Sequence, residues 1–368
     1  MGFDILETFG TIIDRGGSDL FVGGAQSWVR LPAGVVPLKE IGIDEDFQFR
    51  LIEWLEDRTN LPPHAEHQLQ IRQQADYVLQ LPIQLGIRVR VHVFRTGGCE
   101  AYVLRLIQPT PTRMADVGFR PQIEEYVAAN RGLYLVTGAT GMGKSTTLAA
   151  LLQYLGDRYP WHILTYEDPI EYVITPKKSL IHQRELGSDF SNYNQGLMGA
   201  LRESPDVVMI GEIRDLETMR WALSLAEAGF RVLATFHTHS VEETIERFIG
   251  SFPENEQSQA RSRLATVLSG VLSQILLPRK VNSPGRPRVV AYEYLFVGAS
   301  KGARTMIREG KTHQLINEIR LPEAGLPLDA CLAELVAEGH LERSVAEGHA
   351  RDIPYFNSKL WSLSPNRR

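Results

Sequence analysis

Cysteine is nearly missing from this chain: 368 residues contain two, Cys99 and Cys331, far apart and outside any C-x-x-C pair. That excludes a disulfide framework and a four-cysteine zinc site, and it suits a reducing cytoplasm. Excess positive charge is missing too. The 39 Lys and Arg face 44 Asp and Glu, for a net charge of −5 and a pI near 6.1. Such a balance offers no global field for nucleic acid or an anionic membrane, and no aromatic-basic stripe marks a single-strand path. Long apolar runs are also lacking. VLSGVLSQILL at 267 to 277 is broken by Ser, Gly and Gln and falls short of the roughly 18 residues that suggest a membrane span. The opening MGFDILETFG has neither a basic stretch nor a long apolar core and does not read as a signal peptide. The expectation is a soluble cytoplasmic protein, which leaves docking on a membrane complex open. There is no internal repeat or low-complexity tract.

What is present is material for a core. Hydrophobic residues make up 43% of the chain, with 14 Phe, 12 Tyr and 5 Trp, which suits two or three folded domains at this length. Asp4 to Asp14 and 45 to 56 have helical spacing, while SDLFV (18 to 22) and WVRLP (28 to 32) read as strands around a Gly-Gly turn. IRVRVHVF at 87 to 94 alternates with period two, placing Arg88, Arg90 and His92 on one face and Ile87, Val89, Val91 and Val93 on the other. QPTPTRMADVG at 108 to 118 reads as a proline-bearing linker. Beyond it, the apolar runs LYLVT, HILTY, DVVMI and RVLAT alternate with helical stretches, the signature of an α/β fold with a parallel sheet. From about 254 onward, including 256 to 277, the expectation is mostly helix, with a disordered SLSPNRR tail. The expected domains are 1–107, a linker over 108–117, an α/β core over 118–253 and a helical region over 254–368.

GATGMGKS, starting at Gly138, matches G-x-x-x-x-G-K-[ST] and sits between a predicted strand and a predicted helix, the context that motif requires. Gly138, Ala139, Thr140, Gly141, Met142, Gly143, Lys144, Ser145 and Thr146 then form a loop for the phosphates of ATP. The glycines let backbone N–H groups turn inward, the helix adds its positive end, and Lys144 bridges the β- and γ-phosphates. Ser145 is the expected Mg²⁺ ligand.

In an open parallel sheet, ligands bind beyond the carboxyl ends of the strands. Those ends carry Glu167, Glu212 and His237. Acidic residues beside a triphosphate make sense with Mg²⁺ and a water to orient. Glu212 ends the most apolar strand and is the first choice for the carboxylate that polarises water; the competing reading is an acidic turn, GEIRD, paired with Arg214. Glu167 is the second choice, and EDP also serves as an ordinary strand-ending turn. His237 is a γ-phosphate sensor or a packed histidine. His237 and His239 make H-x-H without an evident third ligand. For Arg88, Arg90 and Arg105 the residues leave two readings open. One is a wet sheet face; the other is a set of arginines that neutralises transition-state charge on the γ-phosphoryl group.

Together these motifs resemble the PilT-like type II/IV secretion ATPases over nearly the whole chain. GGSDLFV and IRVRVHVF with LRLI are similar to the family's N-terminal strands. TYEDPIEY is similar to its aspartate box, LRESPDVVMIGEIRDLET to its Walker B segment and AGFRVLATFHTHS to its histidine box. GARTMIREGKTHQL resembles the C-terminal signature of its retraction branch. The resemblance implies a PAS-like N-terminal α+β domain, a RecA-like P-loop NTPase core and C-terminal helices, assembled as a homo-hexamer. It implies a motor for type IV pilus retraction or, alternatively, for type IVB secretion and conjugative transfer. The partner would be an inner-membrane platform or secretion-channel protein, with peripheral attachment to the inner membrane and no nucleic acid bound directly. It makes Glu212 catalytic, with Glu167, His237, Arg88, Arg90 and Arg105 around the γ-phosphate. Ser145 and water carry Mg²⁺, since Gly211 precedes Glu212.

The chain departs from the family pattern in three respects. Phe230 stands where a second histidine is usual, RTGGCEAY lacks an arginine for which Arg95 is the nearest substitute, and Ala303 and Thr305 replace more typical residues. The four-cysteine module of extension and type II motors is absent, which favours the retraction or type IVB branch. A P-loop kinase of a small molecule would need an acceptor pocket and an arginine-bearing lid, and 138 to 240 offers neither signal. A nucleic-acid motor is disfavoured by the charge balance.

Overall fold

The structure is a computed structural model that describes residues 5–15, 17–23, 26–31, 34–43, 45–56, 65–66, 69–70, 73–80, 88–107, 113–281, 283 and 287–363. The chain divides into two units. The first takes Met1–Pro109, Asp168–Val173 and Arg184–Ser191; the second takes Thr110–Glu167, Ile174–Gln183 and Asn192–Arg368.

Among the described residues, the first unit holds a six-stranded antiparallel sheet. Its strands are β1 (Asp19–Val22), β2 (Trp28–Leu31), β3 (Gly34–Pro37), β4 (Gln74–Gln80), β5 (Arg88–Thr96) and β6 (Cys99–Ile107), in the order β3-β2-β1-β6-β5-β4. The period-two pattern does what it predicts: Val89, Val91 and Val93 are at most 1% exposed. They join Phe9 and Ile12 of the helix Ile5–Asp14 and Leu51 and Leu55 of the helix Glu45–Glu56 in one core. Burying side chains of this size is worth about 1.5–3 kcal/mol each, enough to set which face of β5 turns inward. Ile87, the linker residues 108–112, one glycine of the Gly-Gly turn (Gly24) and the tail from Ser364 lie outside the described residues.

The second unit is built on an eight-stranded mixed sheet. It adds β7 (Gly132–Thr137), β8 (His162–Glu167), β9 (Leu180–Glu185), β10 (Val207–Ile210), β11 (Arg231–Phe236), β12 (Leu268–Pro278), β13 (Arg288–Phe296) and β14 (Gly325–Leu326), in the order β14-β13-β12-β7-β11-β10-β8-β9. β12, β7, β11, β10 and β8 run parallel in adjacent pairs. All residues of β7, β10 and β11 are buried, which is why these strands read as continuous apolar runs rather than alternations. The helices Lys144–Arg158, Leu216–Glu227 and Val241–Gly250 follow β7, β10 and β11. Two of them start with a side chain capping the first turn: Asp215 accepts from the Thr218 N–H and Ser240 from that of Glu243.

Beyond residue 254 the chain is less helical than its sequence suggests. Glu254–Val267 is a helix, but Leu268–Pro278 and Arg288–Phe296 are paired strands. The reason is burial on both faces. Ten of the eleven β12 positions are buried or half-buried, so no polar alternation marks the strand, and an apolar run of that length reads equally as helix. The closing helices Leu328–Ala337, Arg343–Glu347 and Ile353–Leu363 agree with a mostly helical end, but the last of them takes in Ser362 and Leu363, the start of the stretch expected to be disordered. Met114–Val117, inside the expected linker, is a 3₁₀ turn that buries Met114. Among the described residues no helix is long and apolar enough to cross a membrane.

Candidate active site

The parallel pairing brings four strand ends into line. Thr137 of β7 lies opposite Phe236 of β11, Ala234 of β11 opposite Ile210 of β10, and Ile210 opposite Tyr166 of β8. The next residues along these strands are Gly138, His237, Gly211 and Glu167. One edge of the sheet therefore carries the phosphate loop, both acidic candidates and the histidine.

The loop adopts the form its glycines permit. Gly138, Gly141 and Gly143 have φ of 147°, 79° and 82°, values an L side chain rarely adopts. Gly138 also packs so closely on β12 that a Cβ would fall 2.5 Å from the Gln274 backbone oxygen. Lys144 opens the following helix and is buried. Its Nζ donates to the carbonyls of Gly138 (2.7 Å) and Ala139 (3.0 Å) and lies 3.4 Å from His237 Nδ1. Ser145 is exposed on the same turn.

Glu212 sits on a five-residue connection that is tied down at three points. The Gly211 N–H donates to Tyr166 O at 2.8 Å, the Ile213 N–H donates to Thr235 O at 3.0 Å, and Asp215 caps the next helix. Ile213 is 2% exposed, so its side chain turns inward while its neighbours Glu212 and Arg214 meet on the other side. Glu212 Oε2 accepts from Arg214 at 2.8 Å, and Glu212 Oε1 is 2.6 Å from His237 Nε2. An ammonium only donates, so His237 Nδ1 accepts from Lys144 and its Nε2–H donates to Glu212. The result is one line of contacts, Lys144 to His237 to Glu212 to Arg214. Burial acts to raise the Glu212 carboxyl, but the hydrogen bond and charge of Arg214, with His237, outweigh it and hold the group below its usual range. The pairing with Arg214, offered from the sequence as the competing reading, is present together with the His237 contact.

Glu167 is buried at the end of β8, where its Oε1 accepts from Thr165 Oγ1 (2.6 Å) and Gln183 Nε2 (3.0 Å). A Cβ on Gly211 would stand 3.4 Å from Glu167 Cα and 3.1 Å from Tyr166 O. Glycine there permits close strand approach, and an aspartate at 211 would have to displace backbone. His239 spends its main chain on Glu243 and Arg351, and among the described residues no group of three His, Cys, Asp or Glu is placed to hold a metal. Phe230 is at the opposite end of β11 from His237, about 20 Å away along the strand. Its departure from the family pattern does not alter the His237 contacts.

In the first unit, Arg90 of β5 is directly opposite Arg105 of β6, which is opposite Asp19 of β1, which is opposite Arg30 of β2. Cross-strand partners share a face. Arg105 Nε donates to Asp19 Oδ1 at 2.8 Å, and Arg30 Nε lies 3.6 Å from Asp19 Oδ2. The side chain of Arg88 lies outside the described residues. Asp19 as the anchor of this row was not visible in sequence, because 86 residues separate it from Arg105. Gln274 was missed as well, inside the stretch read as helix.

Comparison with known proteins places this geometry. The family model for type II/IV secretion system proteins matches residues 60–328. The type IV pilus retractation ATPase PilT of Pseudomonas aeruginosa is 36% identical over 95% of this chain and 98% of its own length. Among solved structures, the pilus retraction motor PilT with bound ADP superposes with a TM-score of 0.82 at 34% identity, covering 96% of this chain and 99% of that one. The ATPase DotB of Legionella pneumophila gives a TM-score of 0.73 at 25% identity over 92% of this chain and 93% of its own. With the phosphate loop, Lys144, Glu212 and His237 gathered on one sheet edge, the chain belongs to the type II/IV secretion system protein family and is one of its P-loop ATPases.

Proposed function

We propose that the chain is the subunit of a six-membered motor ring in which ATP hydrolysis at the Gly138–Thr146 loop drives retraction of a type IV pilus. The observation that carries this reading is the contact line from Lys144 through His237 to Glu212. It joins the residue that grips phosphate to a carboxylate able to polarise water. Retraction is preferred to export because relatives named for pilus retraction match over nearly the full chain at higher identity than DotB. Glu212 is the base for the attacking water, held ionised by Arg214. His237 positions that carboxylate, and Glu167, fixed by Thr165 and Gln183, orients the water from the neighbouring strand. For Arg88, Arg90 and Arg105 the reading keeps the charge-neutralising role that the family resemblance implies, worth roughly 10³–10⁵ in rate for an arginine that meets the γ-phosphoryl group.

Mg²⁺ fits the donors present. Ser145 offers an exposed hydroxyl on the first turn of the helix, a hard oxygen of the kind Mg²⁺ takes together with phosphate and water. The ion would neutralise charge on the phosphates. The ring docks peripherally on an inner-membrane platform protein from the cytoplasmic side.

Two measurements test the reading. With Mg²⁺ and ATP, native mass spectrometry of the 41.4 kDa chain is expected to give six copies, and phosphate is released with no acceptor added. A chain that stays monomeric at saturating ATP overturns the ring, and ADP formation that requires a small-molecule acceptor, with the phosphoryl group carried onto that acceptor instead of released, makes it a kinase.

Arg214→Ala tests the assignment of Glu212. Burial raises the Glu212 carboxyl and Arg214 opposes that. Removing the guanidinium therefore moves its pKa up, and the acid limb of the kcat profile shifts to higher pH. An acid limb that stays in place means that another group titrates there.

A further inference from the structure

The geometry points to Gln274 of β12 as a positioning residue that keeps the phosphate loop in its anion-binding form, an inference that rests on reading Gly138–Thr146 as the nucleotide loop.

β7 stops at Thr137, opposite Ser273, whereas β12 continues to Pro278. The continuation forms a wall beside the loop. Gln274 is the first residue of that wall and is 2% exposed. Its Nε2 donates to the Met142 carbonyl at 2.7 Å, and its Oε1 accepts from Thr147 Oγ1 at 2.9 Å. A carbonyl only accepts, so Nε2 must face Met142, and the Thr147 hydroxyl, whose one proton has the more distant Gly143 O (3.2 Å) as its alternative acceptor, supports the amide in that orientation. Two residues on, the Leu276 N–H lies 3.3 Å from Met142 Sδ, and its side chain is 3.4 Å from where a Cβ of Gly143 would stand. The loop thus touches β12 at Gly138, Met142 and Gly143.

The consequence follows from peptide planarity. In a trans peptide the carbonyl of one residue and the N–H of the next point in opposite directions. Holding the Met142 oxygen on β12 therefore sends the Gly143 N–H away from the wall. Phosphate loops bind through N–H groups turned in this way. The restraint matters here because Gly141 and Gly143, on either side of Met142, both have positive φ, and glycine backbones turn over at little cost. Without the Gln274 amide, the peptide between Met142 and Gly143 can flip, which puts an oxygen where the phosphate needs a donor. Gln274 touches no reacting atom; it acts through the loop backbone. Its main chain stays in the ladder with Tyr292 of β13, so a side-chain change leaves the strand in place.

Calorimetric titration of the full chain with ADP tests this. Gln274→Leu and Gln274→Glu are expected to weaken ADP by about tenfold, the scale of one buried hydrogen bond lost with its acceptor left unsatisfied. KM for ATP rises by the same factor, while kcat falls much less, since Glu212 and His237 come from other strands. Thr147→Val weakens ADP by roughly threefold, and combining it with Gln274→Leu adds nothing, because both act through one amide. Thr147→Val is close in shape and keeps the test open if the Gln274 variants do not fold. A lower Tm with unchanged ADP affinity, or fully additive losses, overturns the inference and makes Gln274 a packing residue. Lys144→Ala separates the two readings. If it abolishes ADP binding while the Gln274 variants bind normally, the loop stands and the positioning function fails; if the unsubstituted chain takes up no ADP, the loop reading itself fails.

Discussion

Glu212→Gln is expected to lower ATP turnover by about 10²–10⁴, the usual range for a lost general base, while nucleotide affinity changes by less than threefold or so. The substitution keeps the volume of the side chain and its ability to accept from His237 Nε2 or Arg214, so the tied-down Gly211–Asp215 connection keeps its fold. What it removes is the negative charge that Arg214 and His237 maintain against burial. An amide cannot take a proton from water. The phosphate grip comes from the loop and Lys144, on a different strand end, and is not disturbed. Phosphate-release assays beside ADP and ATP titrations check the split between kcat and affinity. If both fall together, Glu212 is holding up the site rather than polarising water.

Lys144→Ala is expected to reduce ATP affinity by about 10²–10⁴, which corresponds to two charge-assisted hydrogen bonds of about 1.5–3 kcal/mol each. The Lys144 ammonium rests on the carbonyls of Gly138 and Ala139 and beside His237 Nδ1. Those contacts prepare it: the group is already ordered at the mouth of the loop, so phosphate exchanges one set of acceptors for another. Removing it takes the charge that phosphate needs and also frees His237 on its Nδ1 side. Turnover therefore falls even at ATP concentrations that restore occupancy. Equilibrium binding by calorimetry or fluorescence, followed by kcat at saturation, separates the two losses. Retained wild-type affinity would mean that this loop does not hold the triphosphate.

The two predictions draw unequally on sequence and structure. Lys144 and its glycines were legible because the motif is contiguous, and each residue type is required by local backbone geometry. The candidates Glu167, Glu212 and His237 were legible as strand ends, since burial makes parallel strands apolar and their last residue stands out. Their mutual contacts were not. That His237 joins Lys144 to Glu212 depends on β7, β11 and β10 being neighbours in the order 7-11-10, and no local pattern encodes strand order.

The sequence by itself determined the elements whose signal is local: the alternation that buries Val89, Val91 and Val93, the capped helices after β10 and β11, and a phosphate loop between a strand and a helix. The tertiary structure alone decided what depends on pairing across distance. It made Leu268–Pro278 a strand, because β7 offered it a ladder and both its faces were buried. It paired Asp19 with Arg105 across the first sheet. It set Gln274 against Met142, 132 residues away, where its amide can orient a backbone that glycine leaves loose. Hydrogen-bond partners that far apart are chosen by which strands become neighbours, and that choice belongs to the folded chain as a whole.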